Sequence, residues 1–169
     1  MSATDSSGRK KRVARGVVYK RVKDETEFRY LMAQRRFEDE NLPGFFECFG
    51  GAAKDGEHDS LDLVLVRELR EESGITVVRI VRPVFKFQRP FMHAPNEGED
   101  GQRFDQYESM HFLIEAKIPA PLIIDPNEHV GYSYFTLAQL MKMKPVVRSC
   151  SFEAIVNADR YMFGHKIEF

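Results

Sequence analysis

Two adjacent glycines, Gly50 and Gly51, stand a short interval ahead of Arg67-Glu68-Leu69-Arg70-Glu71-Glu72-Ser73-Gly74-Ile75. No other stretch constrains the chain as strongly: a backbone free to take shapes closed to other residues leads into a segment crowded with carboxylates. Leu61, Val64, Leu65 and Leu69 recur at three- and four-residue spacing and give one stripe of a helix to a core. Ser60 is placed to cap the first turn, Asp62 follows at the positive helix end, and Gly74 suits the left-handed position that closes a helix. Leu61 to Val66 alone also reads as a buried strand, being rich in aliphatic and β-branched residues. The cap, the closing glycine and the four-residue spacing decide for a helix.

Along such a helix Glu68 lies one turn from Glu71 and Glu72, so three carboxylates converge on one patch. Like charges at this spacing cost roughly a few tenths of a kcal/mol per pair in water, and more where the face is buried. A hard divalent cation reverses the sign, because oxygen ligands are what magnesium or manganese takes. For three glutamates on an arbitrary helix a solvated acidic face is the commoner meaning. Arg67 weighs against it, since it stands four residues before Glu71 on the same side and is placed to hold that carboxylate in one rotamer.

Residues 51 to 75 resemble the signature of the Nudix hydrolases. Gly51, Glu57, Arg67, Glu68, Leu69, Glu71, Glu72, Gly74 and Ile75 fill its fixed positions. The departure lies between Glu57 and Arg67, which nine residues separate where the signature has seven. Ser60 keeps the usual distance from Arg67, which assigns the extra two to His58 and Asp59, in a loop where insertions add little closure entropy. Glu57's position is thereby left open, with Asp59 as its alternative. Phe49 stands where many members carry a proline. The resemblance implies an α/β fold, a Nudix-type α/β/α sandwich with a central mixed sheet, and a pyrophosphohydrolase that uses Mg2+ or Mn2+. It further implies that Glu68 and Glu72 are the principal metal ligands with the Gly51 carbonyl beside them, that Glu71 is a further ligand or the base, and that Arg67 orients the glutamates.

At 169 residues one domain is the default, here residues 13 to 169 behind a disordered basic arm over 1 to 12. A formal net charge of −1 gives no global attraction to nucleic acid or membrane. No apolar run is long enough to cross a bilayer and the start lacks the apolar segment of a secretion signal, so the chain reads as cytoplasmic, with a nuclear location as the alternative. Cys48 and Cys150 lack metal-ligand spacing and read as packing cysteines, Cys48 being the more accessible beside the glycines.

In chain order, residues 1 to 8 are small and polar, and Arg9-Lys10-Lys11-Arg12 is a solvated basic cluster or a targeting signal. Val13 to Arg21 and Phe28 to Gln34 read as two strands joined by a charged turn, and the second delivers Arg35 and Arg36. The resemblance implies that either arginine reaches the substrate's phosphates; surface solubility is the other meaning. Asn41 to Gly44 is a turn, and Phe45 to Phe49 a short strand whose aromatics belong to the core or stack on a base. Thr76 to Gln88 reads as one or two strands. Arg89 to Phe104 is a long polar loop, either a lid over the substrate or a surface insertion. Gln106 to Ala116 returns to strand. Asn127 to Phe135 resembles the Nudix stretch in which an acidic residue precedes an aromatic strand, which makes Glu128 the candidate base or additional ligand, with Glu108 as its competitor. Thr136 caps a short helix, and Ser149 or Ser151 caps a final one reaching about Tyr161.

The activity this implies is hydrolysis of a phosphoanhydride in a nucleoside diphosphate derivative, including damaged nucleotides. Diphosphoinositol phosphates and capped RNA are polyanions that call for a broader basic surface than this chain offers. A non-catalytic module that binds nucleotide or protein is the reading from a different class, and a purely structural acidic helix a third.

Overall fold

The computed structural model describes residues 10–22, 26–39, 42–54, 60–90 and 106–165. The elements run β1 (Lys10–Arg21), β2 (Phe28–Arg35), β3 (Phe46–Glu47), α1 (Leu61–Ser73), β4 (Thr76–Pro90), β5 (Gln106–Lys117), β6 (His129–Thr136), α2 (Leu137–Met143), a 3-10 turn (Lys144–Val146) and α3 (Ser149–Met162). β1 lies parallel to β5 and antiparallel to the start of β2, β5 is antiparallel to β4, and β2 is antiparallel to both β3 and β6. The sheet is therefore mixed.

The central strands are apolar on both faces because both faces are covered. Ala14 and Val18 of β1, Leu31 and Ala33 of β2, and Phe112 and Ile114 of β5 meet Leu61, Val64, Leu65 and Leu69 of α1. Their neighbours Val17, Tyr30, Met32 and Leu113 point the other way, onto Leu140 of α2 and Phe152, Ala154, Ile155 and Ala158 of α3. Strand period two and helix period near four thus give two cores separated by one sheet, the expected α/β/α sandwich. No helix among the described residues is long and apolar enough to cross a membrane.

Several boundaries differ from the sequence reading. β1 begins at Lys10, so Lys10, Lys11 and Arg12 are not part of a disordered arm: they pair with Gln106, Tyr107 and Glu108, whose backbone groups take partners whatever the side chains are. Residues 1 to 9 lie outside the described residues. β4 is one strand through Pro90, carried past three shifts of register, so the loop expected from Arg89 starts later. Residues 91 to 105, which hold the rest of that loop, are also outside the described set.

Ser60 does not cap α1 through its side chain; Val64 N–H takes the Ser60 carbonyl and the helix starts on backbone bonding alone. Gly74 closes the helix in the left-handed conformation as expected, φ 67°. Thr136 and Gln139 form a reciprocal capping box at α2. At α3 neither serine caps. Arg148 occupies the cap position, and the Ser151 hydroxyl instead accepts the Cys48 N–H at 3.1 Å. Cys48 is fully buried rather than accessible, and burial pushes its thiol up to about 12.

Candidate active site

The chain leaves β3 and runs beside the first half of β1. Gly16 N–H bonds the Phe49 carbonyl at 2.9 Å, Ala14 N–H the Gly51 carbonyl at 3.0 Å, and Ala53 N–H the Arg12 carbonyl at 2.8 Å. Two different close approaches explain the two glycines. Gly50 has φ 135°, and a Cβ there would sit 2.2 Å from the Ala14 carbonyl oxygen, so backbone meets backbone with no room for a side chain. At Gly51 a Cβ would lie 2.3 Å from Glu68 Oε2, so the missing side chain is what admits the carboxylate.

Burial of the leucine stripe turns Glu68 and Glu72, one turn apart, toward this loop. The Gly50 N–H donates to Glu72 Oε2 at 3.1 Å. Arg67 Nη1 lies 2.6 Å from Glu68 Oε1 and 2.9 Å from Glu71 Oε2, while its Nη2 donates to the Ala52 carbonyl at 3.0 Å. One guanidinium thus ties two signature glutamates and the loop together. Glu71 is half-exposed and also meets Lys54 Nζ at 3.3 Å.

The three carboxyls differ in what opposes their charge. Burial pushes Glu72 up to about 7, against the pull of His129, Arg15 and the Gly50 N–H, and with Glu68 adding repulsion. Glu68 is also raised, by burial first, although Arg67 works against it. Glu71 goes the other way: slight desolvation is outweighed by the hydrogen bonds from Arg67 and Lys54. Two desolvated carboxylates that repel one another, and whose protein partners do not offset the cost of burial, form a donor set of hard oxygens.

That donor set fits magnesium better than calcium or zinc. Among the described residues no three His, Cys, Asp or Glu side chains close into a metal cage. Mg2+ asks for none: one or two carboxylates, water and substrate phosphates commonly complete its shell. Glu68 and Glu72 would supply that pair. Gly51 lies against Glu68, and its carbonyl already accepts the Ala14 N–H, with a second lone pair left for another bond.

The remaining expected residues fall in other places. Arg35 is drawn inward, with Nη1 on Glu47 Oε1 at 2.9 Å and Nη2 on Asp39. Arg36 lies outward, 3.5 Å from Glu38. Glu128 is exposed in the turn before β6; the same turn is anchored near the site, because Asp125 N–H bonds the Glu72 carbonyl at 2.9 Å. Glu108 is buried on β5 beside Lys86 at 3.3 Å and Arg12 at 3.9 Å. Burial raises its carboxyl, but the hydrogen bonds from Gln88 and Lys86 prevail and hold it low. Glu57 and Asp59 lie outside the described residues.

Sequence reasoning missed the cluster behind the glycine loop. Glu47, 2% exposed, lies 3.2 Å from Arg15, 2.9 Å from Arg35, 2.7 Å from Arg148 and 3.5 Å from His129. Arg15 also bonds the Cys48 carbonyl at 2.8 Å, which pins the strand just ahead of Gly50. A signal was present: Arg15 interrupts an apolar strand and Glu47 an aromatic one, and a charge inside a buried pattern calls for partners.

The NUDIX domain family model matches residues 10–153. No curated protein matches the chain. Among solved structures, the E. coli ORF135 protein is 18% identical, with 98% of this chain and 100% of that chain covered and a TM-score of 0.66. A C. elegans Ap4A hydrolase binary complex is 15% identical over 91% of this chain and 98% of that chain, TM-score 0.61. The NUDIX domain of Shewanella oneidensis NrtR complexed with ADP ribose is 13% identical over 95% of this chain and 94% of that chain, TM-score 0.64. At these identities the structures share the fold.

Proposed function

The chain belongs to the Nudix family and is a Nudix-type hydrolase, and from that premise we propose that it is a Mg2+-dependent pyrophosphohydrolase of a nucleoside diphosphate derivative. The observation that carries the proposal is the pair Glu68 and Glu72: desolvated, mutually repelling, and pressed against a glycine loop whose shape admits them. Two structures of like fold are named for Ap4A hydrolysis and for an ADP-ribose complex, and both compounds are nucleoside phosphoanhydrides.

In this reading Glu68 and Glu72 would hold the cation, with Mn2+ as an alternative and the Gly51 carbonyl adjacent. When bound, it offsets charge on the phosphate oxygens and acidifies water. The chain's own work is positional. Arg67 holds Glu68 and Glu71 in fixed rotamers, and the Gly50 N–H aims one oxygen of Glu72. Glu71, held low by two cations, is a poor proton acceptor, so we assign it to ligation or orientation. Glu108 is held low in the same way. That leaves Glu128, exposed beside the site on the turn tied to Glu72, as the candidate base. Arg36, just after β2, is better placed than Arg35 to meet substrate phosphates, since Arg35 is committed to Glu47 and Asp39.

The test is a hydrolysis screen with and without magnesium over nucleoside diphosphate derivatives, capped RNA and diphosphoinositol phosphates, with identification of products. Turnover should require the cation, and Glu72→Gln should lower it by about 10²-fold or more. Full turnover by that variant would remove Glu72 from the site. Nucleotide binding without turnover or cation dependence would favour a non-catalytic module.

A further inference from the structure

Six buried side-chain polar atoms among the described residues have no hydrogen-bond partner: Arg15 Nε, Ser109 Oγ, and both ring nitrogens of His111 and His129. His129 has charged neighbours in Glu47 and Glu72. The other four atoms share one place. In the register of β1 and β5, Val13 stands beside Ser109 and Arg15 beside His111, so their side chains leave the same face of the sheet, the face toward α3. Arg15 is 6% exposed and Ser109 and His111 not at all. Burying donors and acceptors without partners is costly, and a fold that keeps three such residues together has a use for them.

The surroundings define what would satisfy them. Burial and the nearby Arg15 and Arg148 charges hold His111 well below its ordinary value, so its ring is neutral and offers one donor and one acceptor. Arg15 Nε–H adds a donor and Ser109 either role. A phosphate or carboxylate brings acceptors only and would face the bare imidazole nitrogen. An aliphatic group would satisfy nothing. A planar ring whose edge mixes donors and acceptors satisfies the set.

Toward the surface the same face becomes aromatic. Phe87 pairs with Ser109 in register and meets the Tyr107 ring edge to face at 6.4 Å, and Arg148 Nη2 lies 3.3 Å from the Tyr107 hydroxyl. Phe87 is 37% exposed, so the patch grades from a half-open aromatic rim to a buried polar floor. Aromatic rims of this kind take flat rings. Arg15 links the floor to the glycine loop through Cys48 and acts on Glu72.

We propose that Arg15, Ser109 and His111, rimmed by Phe87 and Tyr107, recognise the edge of a heteroaromatic ring, the nucleobase of the substrate. The inference rests on the nucleotide reading above for the identity of that ring.

The test uses the full chain without metal, so no turnover intervenes. Ribonucleoside 5′-monophosphates are titrated by calorimetry and by 15N-histidine NMR, with ribose 5-phosphate as the control that lacks a ring and His111→Phe assigning the His111 signals. At least one nucleotide should bind and move those signals, and Ser109→Ala and His111→Phe should each weaken it roughly tenfold. Ser109→Ala should leave Tm unchanged or raise it, since its hydroxyl has no partner to lose. Binding of ribose 5-phosphate as tightly as any nucleotide, absence of nucleotide binding, unaltered affinity in both variants, or a lower Tm for Ser109→Ala would each overturn the assignment. A nucleotide that binds here but is never hydrolysed in a magnesium screen defeats the hydrolase proposal and leaves this one standing.

Discussion

Glu47 and Glu72 are nearly equally buried, 2% and 9% exposed, and lie on either side of the same glycine loop, yet their carboxyls shift in opposite directions. Burial raises both. At Glu47, Arg15, His129, Arg148 and Arg35 overwhelm that effect and hold the carboxyl well below its ordinary range. At Glu72 the opposing groups are too few, and the carboxyl is pushed up to about 7. Desolvation is common to the two, so the difference lies in partners: Glu47 is balanced from within by arginines that reach it from three segments of chain, whereas the groups around Glu72 do not offset its burial and it holds a proton up to about pH 7. Glu47 belongs to the scaffold, and the proposed function gives Glu72 to the chemistry.

The strongest way to break this comparison is Glu47→Gln, which leaves three buried or half-buried guanidiniums without their shared carboxylate. Removing one partner of a buried ionic cluster costs about 3–5 kcal/mol. Urea unfolding should show a loss of that size, and a loss under 1 kcal/mol, roughly the range of an exposed pair, would show that Glu47 is not the centre of the cluster. Next in size is Gly50→Ala, which forces a side chain into the Ala14 backbone at positive φ and should destabilise by about 2 kcal/mol or more.

Glu72→Gln tests the other half, with the opposite sign. Because the folded carboxyl titrates near 7 rather than near its ordinary 4.5, the folded state holds the proton more tightly than the unfolded state between those values. Its contribution to stability is complete below about pH 4.5 and is lost as pH rises through about 7. Without metal, the variant should therefore match the wild type near pH 4 and be more stable by roughly 3 kcal/mol at pH 8. Magnesium should narrow that gap by stabilising the wild type alone. A variant less stable than the wild type at pH 8 without metal would mean that the Glu72 charge is already balanced.

Smaller effects sharpen the contrast. Gly51→Ala meets only the movable end of Glu68, so stability should change by less than about 1 kcal/mol while magnesium affinity, read by calorimetry, falls. Arg36→Ala loses one exposed ion pair and should leave stability within about 0.5 kcal/mol, with a raised KM if it meets phosphate.

Local chemistry that repeats along the chain was legible in advance. The α1 stripe, the close at Gly74, the cap at Thr136 and the strands β1 and β2 all depend on residues within a few positions of each other. So did the family signature and the pairing of Arg67 with Glu71 across one helical turn. Ser60, although local, does not cap α1, and other departures came from contacts made at a distance. Ser151 reads as a cap by position, but its hydroxyl serves Cys48, more than a hundred residues earlier. Arg35, one of two arginines the resemblance puts near phosphates, lies against Glu47 from the neighbouring strand as well as Asp39.

By its sequence alone this chain determined a glycine loop, an acidic helix with one apolar stripe, and the ligand chemistry that three carboxylates and an arginine can perform. Tertiary structure decided which carboxylate is balanced by internal arginines and which is buried without that balance. The reason is physical: periodicity and capping act through neighbours along the chain, whereas a carboxyl's charge answers to whatever folding brings within a few ångströms of it.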